Sequence, residues 1–310
     1  MKTLLYSTLT TLLILTLAAC GVVPITGRRQ FNIVSDAQVL AASAQEYHKF
    51  ISETPTANNT AQGQRVIRVA KKVASATEQY LRNNGFSSAL NGLSWEFNVI
   101  QSNTINAFCM PGGKIIVLTG ILNVCNTDDM LAAVLAHEIS HAIAKHSNES
   151  MSSRIAQQYG GQLLGRAVGV QSGILHTVIS EMYGLGTEVL VNLPYGRKQE
   201  YEADKMGLVF MTLAGYDPNG AIELWQKMAR TTTATKPEFM STHPTDEKRV
   251  KALQEYMPQA LQIARGVDPA TAKRAAESTR KNGKSTSSAS SKGNNDSYEG
   301  GFHYEIPTKK

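Results

Sequence analysis

The sequence predicts an α+β fold, mainly helical, with a small β-sheet beside one central helix. Three observations point to it. Apolar residues recur at helical spacing over most of residues 35–256, whereas one stretch, residues 93–119, reads as strand. A single helical segment also carries His137-Glu138-Ile139-Ser140-His141 among apolar neighbours.

The chain has 310 residues, 42% of them hydrophobic, enough for one substantial core. Lys2 and the Leu/Thr-rich run from Leu4 to Leu17 read as an export signal over residues 1–19, outside the fold. Its end, Leu17-Ala18-Ala19-Cys20, resembles the lipobox of bacterial lipoproteins. By that resemblance Cys20 is the first mature residue and holds the protein to a membrane through acyl chains. Gly21 after the cysteine then points to the outer membrane. Cys109 and Cys125 either pair, as an exported chain allows, or stay as buried thiols.

Ser35 suits the N-cap of a helix running to about Ile51. A second helix is expected from Gln62 to Leu81, with Val66, Ile67, Val69, Ala70 and Val73 as its apolar stripe. Leu93, Trp95, Phe97 and Val99 alternate with polar residues as a half-buried strand does. Pro111-Gly112-Gly113 marks a turn, and Lys114 to Thr119 a second strand. Thr127-Asp128-Asp129 supplies a cap and first-turn acids for the helix bearing the two histidines. The glycine-rich stretch from Gly160 to Gly196 reads either as a mobile lid over a cleft or as an irregular part of the core. Helices are expected from Gln199 to Leu213, from Pro218 to Arg230 and after His243-Pro244 to Tyr256. This bounds a domain at residues 20–265. Residues 266–310 read as a polar, basic tail without apolar mass to order it.

Net charge is +6, and the export signal takes one positive charge with it. From Arg265 onward nine Lys/Arg face five Asp/Glu, so the folded part is close to neutral. No basic patch with interleaved aromatics is visible, which argues against a nucleic-acid partner.

Residues four apart share a helix face, so His137 and His141 can bind one ion. Glu138 is rotated about 100° from His137 by helix geometry. It therefore lies beside the metal, where it can take a proton from the attacking water. That division of labour is the zinc endopeptidase chemistry encoded by His-Glu-x-x-His. A catalytic zinc site needs a third protein ligand. The segment from Arg197 to Asp204 offers Glu200 and Glu202, and spacing does not choose between them. Asp204 shares a face with Glu200 and can orient a ligand histidine.

Four segments, in order, resemble a known family. They are Asn106-Ala107-Phe108 with Pro111-Gly112-Gly113; the His137–His141 motif with His146; Arg197 to Asp204; and Ser241-Thr242-His243-Pro244 with Arg249. The chain resembles the zinc metallopeptidase family of HtpX, the CAAX prenyl endopeptidases, BepA, LoiP and the mitochondrial overlapping-activity protease. Pro24-Ile25-Thr26-Gly27-Arg28-Arg29-Gln30 also resembles the start of its lipoprotein members. The resemblance implies a gluzincin-type fold and one zinc ion, with His137, His141 and Glu200 as ligands and Asp204 as the acid behind them. It implies that the strand from Lys114 to Thr119 is the edge that pairs with a substrate backbone. It places His243 near the metal, as an auxiliary ligand in a resting state or as a donor to the oxyanion, with Arg249 holding that region. His146 reads as a supporting histidine rather than a ligand.

The expected function is a lipid-anchored zinc endopeptidase of the bacterial envelope, acting on misfolded or damaged proteins. The alternative is a latent or non-proteolytic quality-control protein that binds unfolded clients.

Overall fold

The computed structural model describes residues 20–164, 172–183, 196–230, 238–243 and 247–287. The chain opens with a hairpin in which β1 (Cys20–Val22) pairs antiparallel with β2 (Arg29–Phe31). Helix α1 (Asp36–Glu53) follows, capped by the Ser35 hydroxyl, which accepts from the Gln38 amide at 3.3 Å. Helix α2 (Ala61–Asn83) is capped in the same way by Thr60, on the Gly63 amide at 3.0 Å. Its buried stripe includes Val66, Val69, Ala70 and Val73.

The second sheet comprises β3 (Glu96–Ile100), β4 (Ala107–Met110) and β5 (Lys114–Leu118) in the order β3-β5-β4. Strand β5 runs parallel to β3 and antiparallel to β4. The expected edge strand is therefore the central one, and β3 and β4 are the edges. The reversal follows from the Pro111-Gly112-Gly113 turn, which folds β5 back between β4 and β3. Both glycines have the positive φ this turn needs, 90° and 80°, and a Cβ on Gly113 would stand 2.8 Å from the Trp95 ring. All five residues of β5 are buried, as a central strand requires.

Helix α3 (Asp128–Ile143) is the axis of the molecule. The Thr127 hydroxyl caps it at the Met130 amide, 3.2 Å away. Every residue from Met130 to Ile143 is buried, the mark of a helix packed on all sides. Its neighbours are α2, β4, α6 (Arg197–Leu213) and α7 (Asn219–Arg230). Between α3 and α6 lie α4 (His146–Leu164) and α5 (Ser172–Tyr183). These cover part of the glycine-rich stretch; the rest of the expected lid, at 165–171 and 184–195, lies outside the described residues, as does the export signal at 1–19.

A short α8 (Glu238–Thr242) leads to His243, and α9 (Glu247–Ala264) follows. Helix α9 passes its expected end at Tyr256 and carries Pro258 inside it. Proline in a helix interior costs about 3 kcal/mol. Burial of Met257, Ala260 and Ile263 on either side opposes that cost. The tail expected to be without order from residue 266 instead forms α10 (Pro269–Ser287). Asp268 accepts from the Thr271 amide at 2.9 Å, and Ala272 is fully buried against the main core. Residues 288–310 lie outside the described set. No described helix is long and apolar enough to cross a membrane.

Cys109 and Cys125 are free and buried. Burial pushes the Cys125 thiol up to about 12 and Cys109 well above the ordinary thiol range. In a Cys20→Ser variant the folded protein is expected to resist a thiol reagent at pH 8. Both thiols should react on unfolding, within the time of mixing, as followed by absorbance.

Candidate metal centre

Three segments distant in sequence meet at the buried face of α3. That helix presents His137, Glu138 and His141, α6 presents Glu200 and Asp204, and the end of α8 presents His243. Close approach of α3 and α6 depends on Gly207, where an added Cβ would stand 3.3 Å from the His137 amide nitrogen. His137, Glu138, His141, Glu200 and His243 are each at most 2% exposed.

One ligand atom from each of His137, His141, Glu200 and His243 lies within 4.8 Å of the other three. His137 Nε2 is 3.0 Å from His141 Nε2 and 3.2 Å from His243 Nδ1. Glu200 Oε1 stands 3.1 Å from His243 Nδ1 and 3.4 Å from His141 Nε2, while its Oε2 is 3.4 Å from His137 Nε2. Ligands at about 2.0–2.1 Å around a tetrahedral zinc are separated by about 3.3–3.4 Å. Five of the spacings, 3.0–3.4 Å, come close to those edges within a set that spans at most 4.8 Å, and three imidazoles with one carboxylate are a zinc donor set. The residues present therefore fit the ion.

Behind the ligands stands a buried ion-pair network. His137 Nδ1 lies 3.0 Å from Asp204 Oδ1. Arg249 donates to both Asp204 oxygens, at 2.8 and 2.7 Å, and sits 2.9 Å from Glu200 Oε2. It also donates to the His243 carbonyl at 3.2 Å, and its guanidinium lies 3.9 Å from the Trp225 ring centroid. Burial alone would lower the His137 imidazole, but Asp204 and Glu200 more than offset it and push it up to about 9. Burial would raise the Glu200 carboxyl, yet His243 and Arg249 hold it well below the usual range. For Asp204 too, Arg249 outweighs the effect of burial.

Glu138 is outside the ligand set. Its Oε1 is 3.3 Å from His243 Nε2, and burial raises its carboxyl above the ordinary range. A carboxyl raised in this way holds a proton more readily than an exposed one, as a general base must.

All the residues singled out from sequence except Cys20 thus converge on one place. Cys20 is in β1, at the start of the described chain. The choice left open on α6 falls to Glu200, because Glu202 turns to His146, 3.0 Å away. His146 contacts the back of His141, with 2.9 Å between their Nδ1 atoms. The part played by Arg28 escaped the sequence reading: it lies 2.7 Å from Glu202 Oε2, across 174 residues. Its signals in sequence were the charge pair Arg28-Arg29 and the likeness of residues 24–30 to the family's lipoprotein members, neither of which names its partners.

A profile of peptidase family M48 matches residues 66–257, which hold every residue of the cluster. The chain belongs to peptidase family M48. It is 35% identical over 240 residues to the mitochondrial metalloendopeptidase OMA1 of Schizosaccharomyces pombe, covering 77% of this chain and 66% of that one. To human OMA1 it is 30% identical, over 77% of this chain and 46% of the relative. Metalloprotease LoiP of Escherichia coli is 25% identical over 60% of this chain and 73% of its own. The chain thus spans between about a third and two thirds of the length of the mitochondrial relatives it matches. M48 peptidases use zinc, and His137, His141, Glu200 and His243 are the residues able to hold it here.

Proposed function

We propose that this M48 protein is a zinc-dependent endopeptidase in which His137, His141 and Glu200 hold the ion and Glu138 is the general base. The observation that carries the proposal is the convergence of buried His137, His141 and Glu200 from α3 and α6 on one point, with buried Glu138 beside them, 3.3 Å from His243. When bound there, zinc supplies a Lewis acid that polarises a peptide carbonyl and makes a nearby water acidic. Glu138, beside the ligands rather than among them, accepts the proton of the attacking water and passes it to the leaving amine. Asp204 and Arg249 keep the His137 ring in place. His243 donates to the developing oxyanion once it has moved away from the ligand cluster. Strand β4, the sheet edge packed against α3, offers backbone to an extended substrate in place of β5.

The test is cleavage of unfolded casein by the purified protein. A chelator is expected to abolish it and added zinc to restore it. Cleavage that survives complete removal of metal contradicts the proposal.

The proposal extends to location and substrates. Domain 20–265 is tethered by lipid at Cys20 in the bacterial envelope, facing the periplasm, where it removes misfolded or damaged proteins. The Leu17–Cys20 pattern and the likeness to LoiP support this reading. A Cys20→Ala variant is expected to leave the membrane fraction; if it stays there, the lipid tether is wrong.

A second reading concerns the resting state, and the position of His243 favours it. Its Nδ1 occupies the fourth corner of the ligand cluster and its Nε2 faces Glu138, so one ring blocks both the open position and the base. The resting protein is then latent. His243→Ala is expected to keep zinc and to raise casein cleavage severalfold. A fall in cleavage instead assigns His243 to the oxyanion. If neither form cleaves and both retain unfolded casein, the chain is a binding protein.

A further inference from the structure

The hairpin formed by β1 and β2 is joined to the metal centre through an unbroken line of polar contacts. Its loop is tight: the Val23 amide donates to the Arg28 carbonyl at 2.9 Å, and Ile25 takes a φ of 66°, unusual for a branched side chain. The turn delivers Thr26 and Arg28 to Glu202. Thr26 Oγ1 donates to Glu202 Oε1, and Arg28 Nε donates to Glu202 Oε2 at 2.7 Å. Arg28 grips Glu149 with its other two nitrogens, at 2.6 and 2.8 Å. Glu202 in turn meets His146 Nε2 at 3.0 Å, and His146 Nδ1 meets His141 Nδ1 at 2.9 Å. Glu202 and His146 are 4% and 0% exposed.

We propose that this hairpin is a working part of the metal centre, with Arg28, Glu202 and His146 acting as positioning residues for the ligand His141. The proposal rests on the metal-site reading above. Once His141 gives its Nε2 lone pair to an ion, its proton must lie on Nδ1. That Nδ1–H can donate only if His146 Nδ1 accepts, which puts the His146 proton on Nε2, facing the Glu202 carboxylate. Arg28 and Thr26 hold the two Glu202 oxygens and aim the carboxylate at His146, so every contact in the line has one direction.

The arrangement matches the opposite side of the site with one imidazole added. There His137 is backed by Asp204 and Asp204 by Arg249. Here His141 is backed by His146, His146 by Glu202 and Glu202 by Arg28. A carboxylate behind a ligand histidine fixes its ring and makes it a better ligand. The consequence is that metal affinity depends on a segment that begins at Cys20, far from the ligands in sequence.

The experiment is zinc affinity, measured by competition with a chromophoric chelator on the purified full chain, with the visible spectrum of the cobalt-loaded protein alongside. Glu202→Gln and Arg28→Met are expected to weaken zinc binding by about 10-fold or more, within the range found when such supporting residues are changed. Both should also shift the cobalt bands, and Arg28→Lys should recover part of the affinity. Glu149→Gln loosens the grip on Arg28 without touching Glu202, and is expected to lower the melting temperature and to weaken zinc binding less than Arg28→Met does. The proposal is overturned if folded Glu202→Gln and Arg28→Met lose stability yet bind zinc as wild type does with unchanged cobalt spectra. Should Arg28→Met fail to fold, Arg28→Lys and Thr26→Val decide: weaker zinc binding and moved bands support the relay, and wild-type values in both overturn it. A wild-type protein that takes up neither metal overturns the metal-site reading itself, a result distinct from all of these.

Discussion

Glu138→Gln is expected to leave one zinc ion bound per chain and to lower kcat/KM on unfolded casein by about 10²–10⁴-fold, the usual contribution of a general base. Metal content should be unchanged because Glu138 is outside the ligand cluster. Stability should not fall either. Burying a carboxylate is costly, and burial already raises the Glu138 carboxyl. An amide of the same shape removes that cost, so the variant should melt at or above the wild-type temperature. Activity and stability then move apart, as they do where a group is kept for chemistry and not for the fold. Equal loss of zinc and of activity would instead make Glu138 a ligand.

Arg249→Met is expected to destabilise the zinc-loaded protein by about 3–5 kcal/mol, the cost of removing one partner from a buried ion pair. Arg249 is 1% exposed and is the cation that faces both Asp204 and Glu200. Without it two buried carboxylates stand together, and the His243 carbonyl loses its donor. Arg249→Lys should recover only part of the loss. A lysine cannot bind both Asp204 oxygens in the plane of one guanidinium, nor lie flat on Trp225 as Arg249 does. Denaturant unfolding of the three proteins measures this; a midpoint for Arg249→Met equal to wild type would show the network to be a bystander.

The local features were legible in sequence because they are decided locally. Ser35 and Thr127 cap helices through hydroxyls three residues from the amides they serve. The spacing of His137 and His141 is likewise a property of one helix. What depends on distant chain was harder to read. Strand β4 is short and buried throughout, with no alternation to mark it, so nothing along the chain showed that β5 would lie between β4 and β3. Glu200 and Glu202 differ by two positions, and the one facing the ligands is settled by where α6 lies on α3 and by His146 on α4 drawing Glu202 away. The polar composition after residue 266 hid the packing of Val267 and Ala272 on the core. The partners of Arg28 were not legible because both acids come more than a hundred residues later.

The central claim is that the ligand cluster holds one zinc ion through imidazole and carboxylate. X-ray absorption at the zinc edge of the purified, zinc-loaded protein tests it most directly. The account predicts four light-atom neighbours at about 2.0–2.1 Å with the outer-shell pattern of imidazole. A sulfur neighbour at about 2.3 Å, or a six-oxygen shell without imidazole, would contradict it.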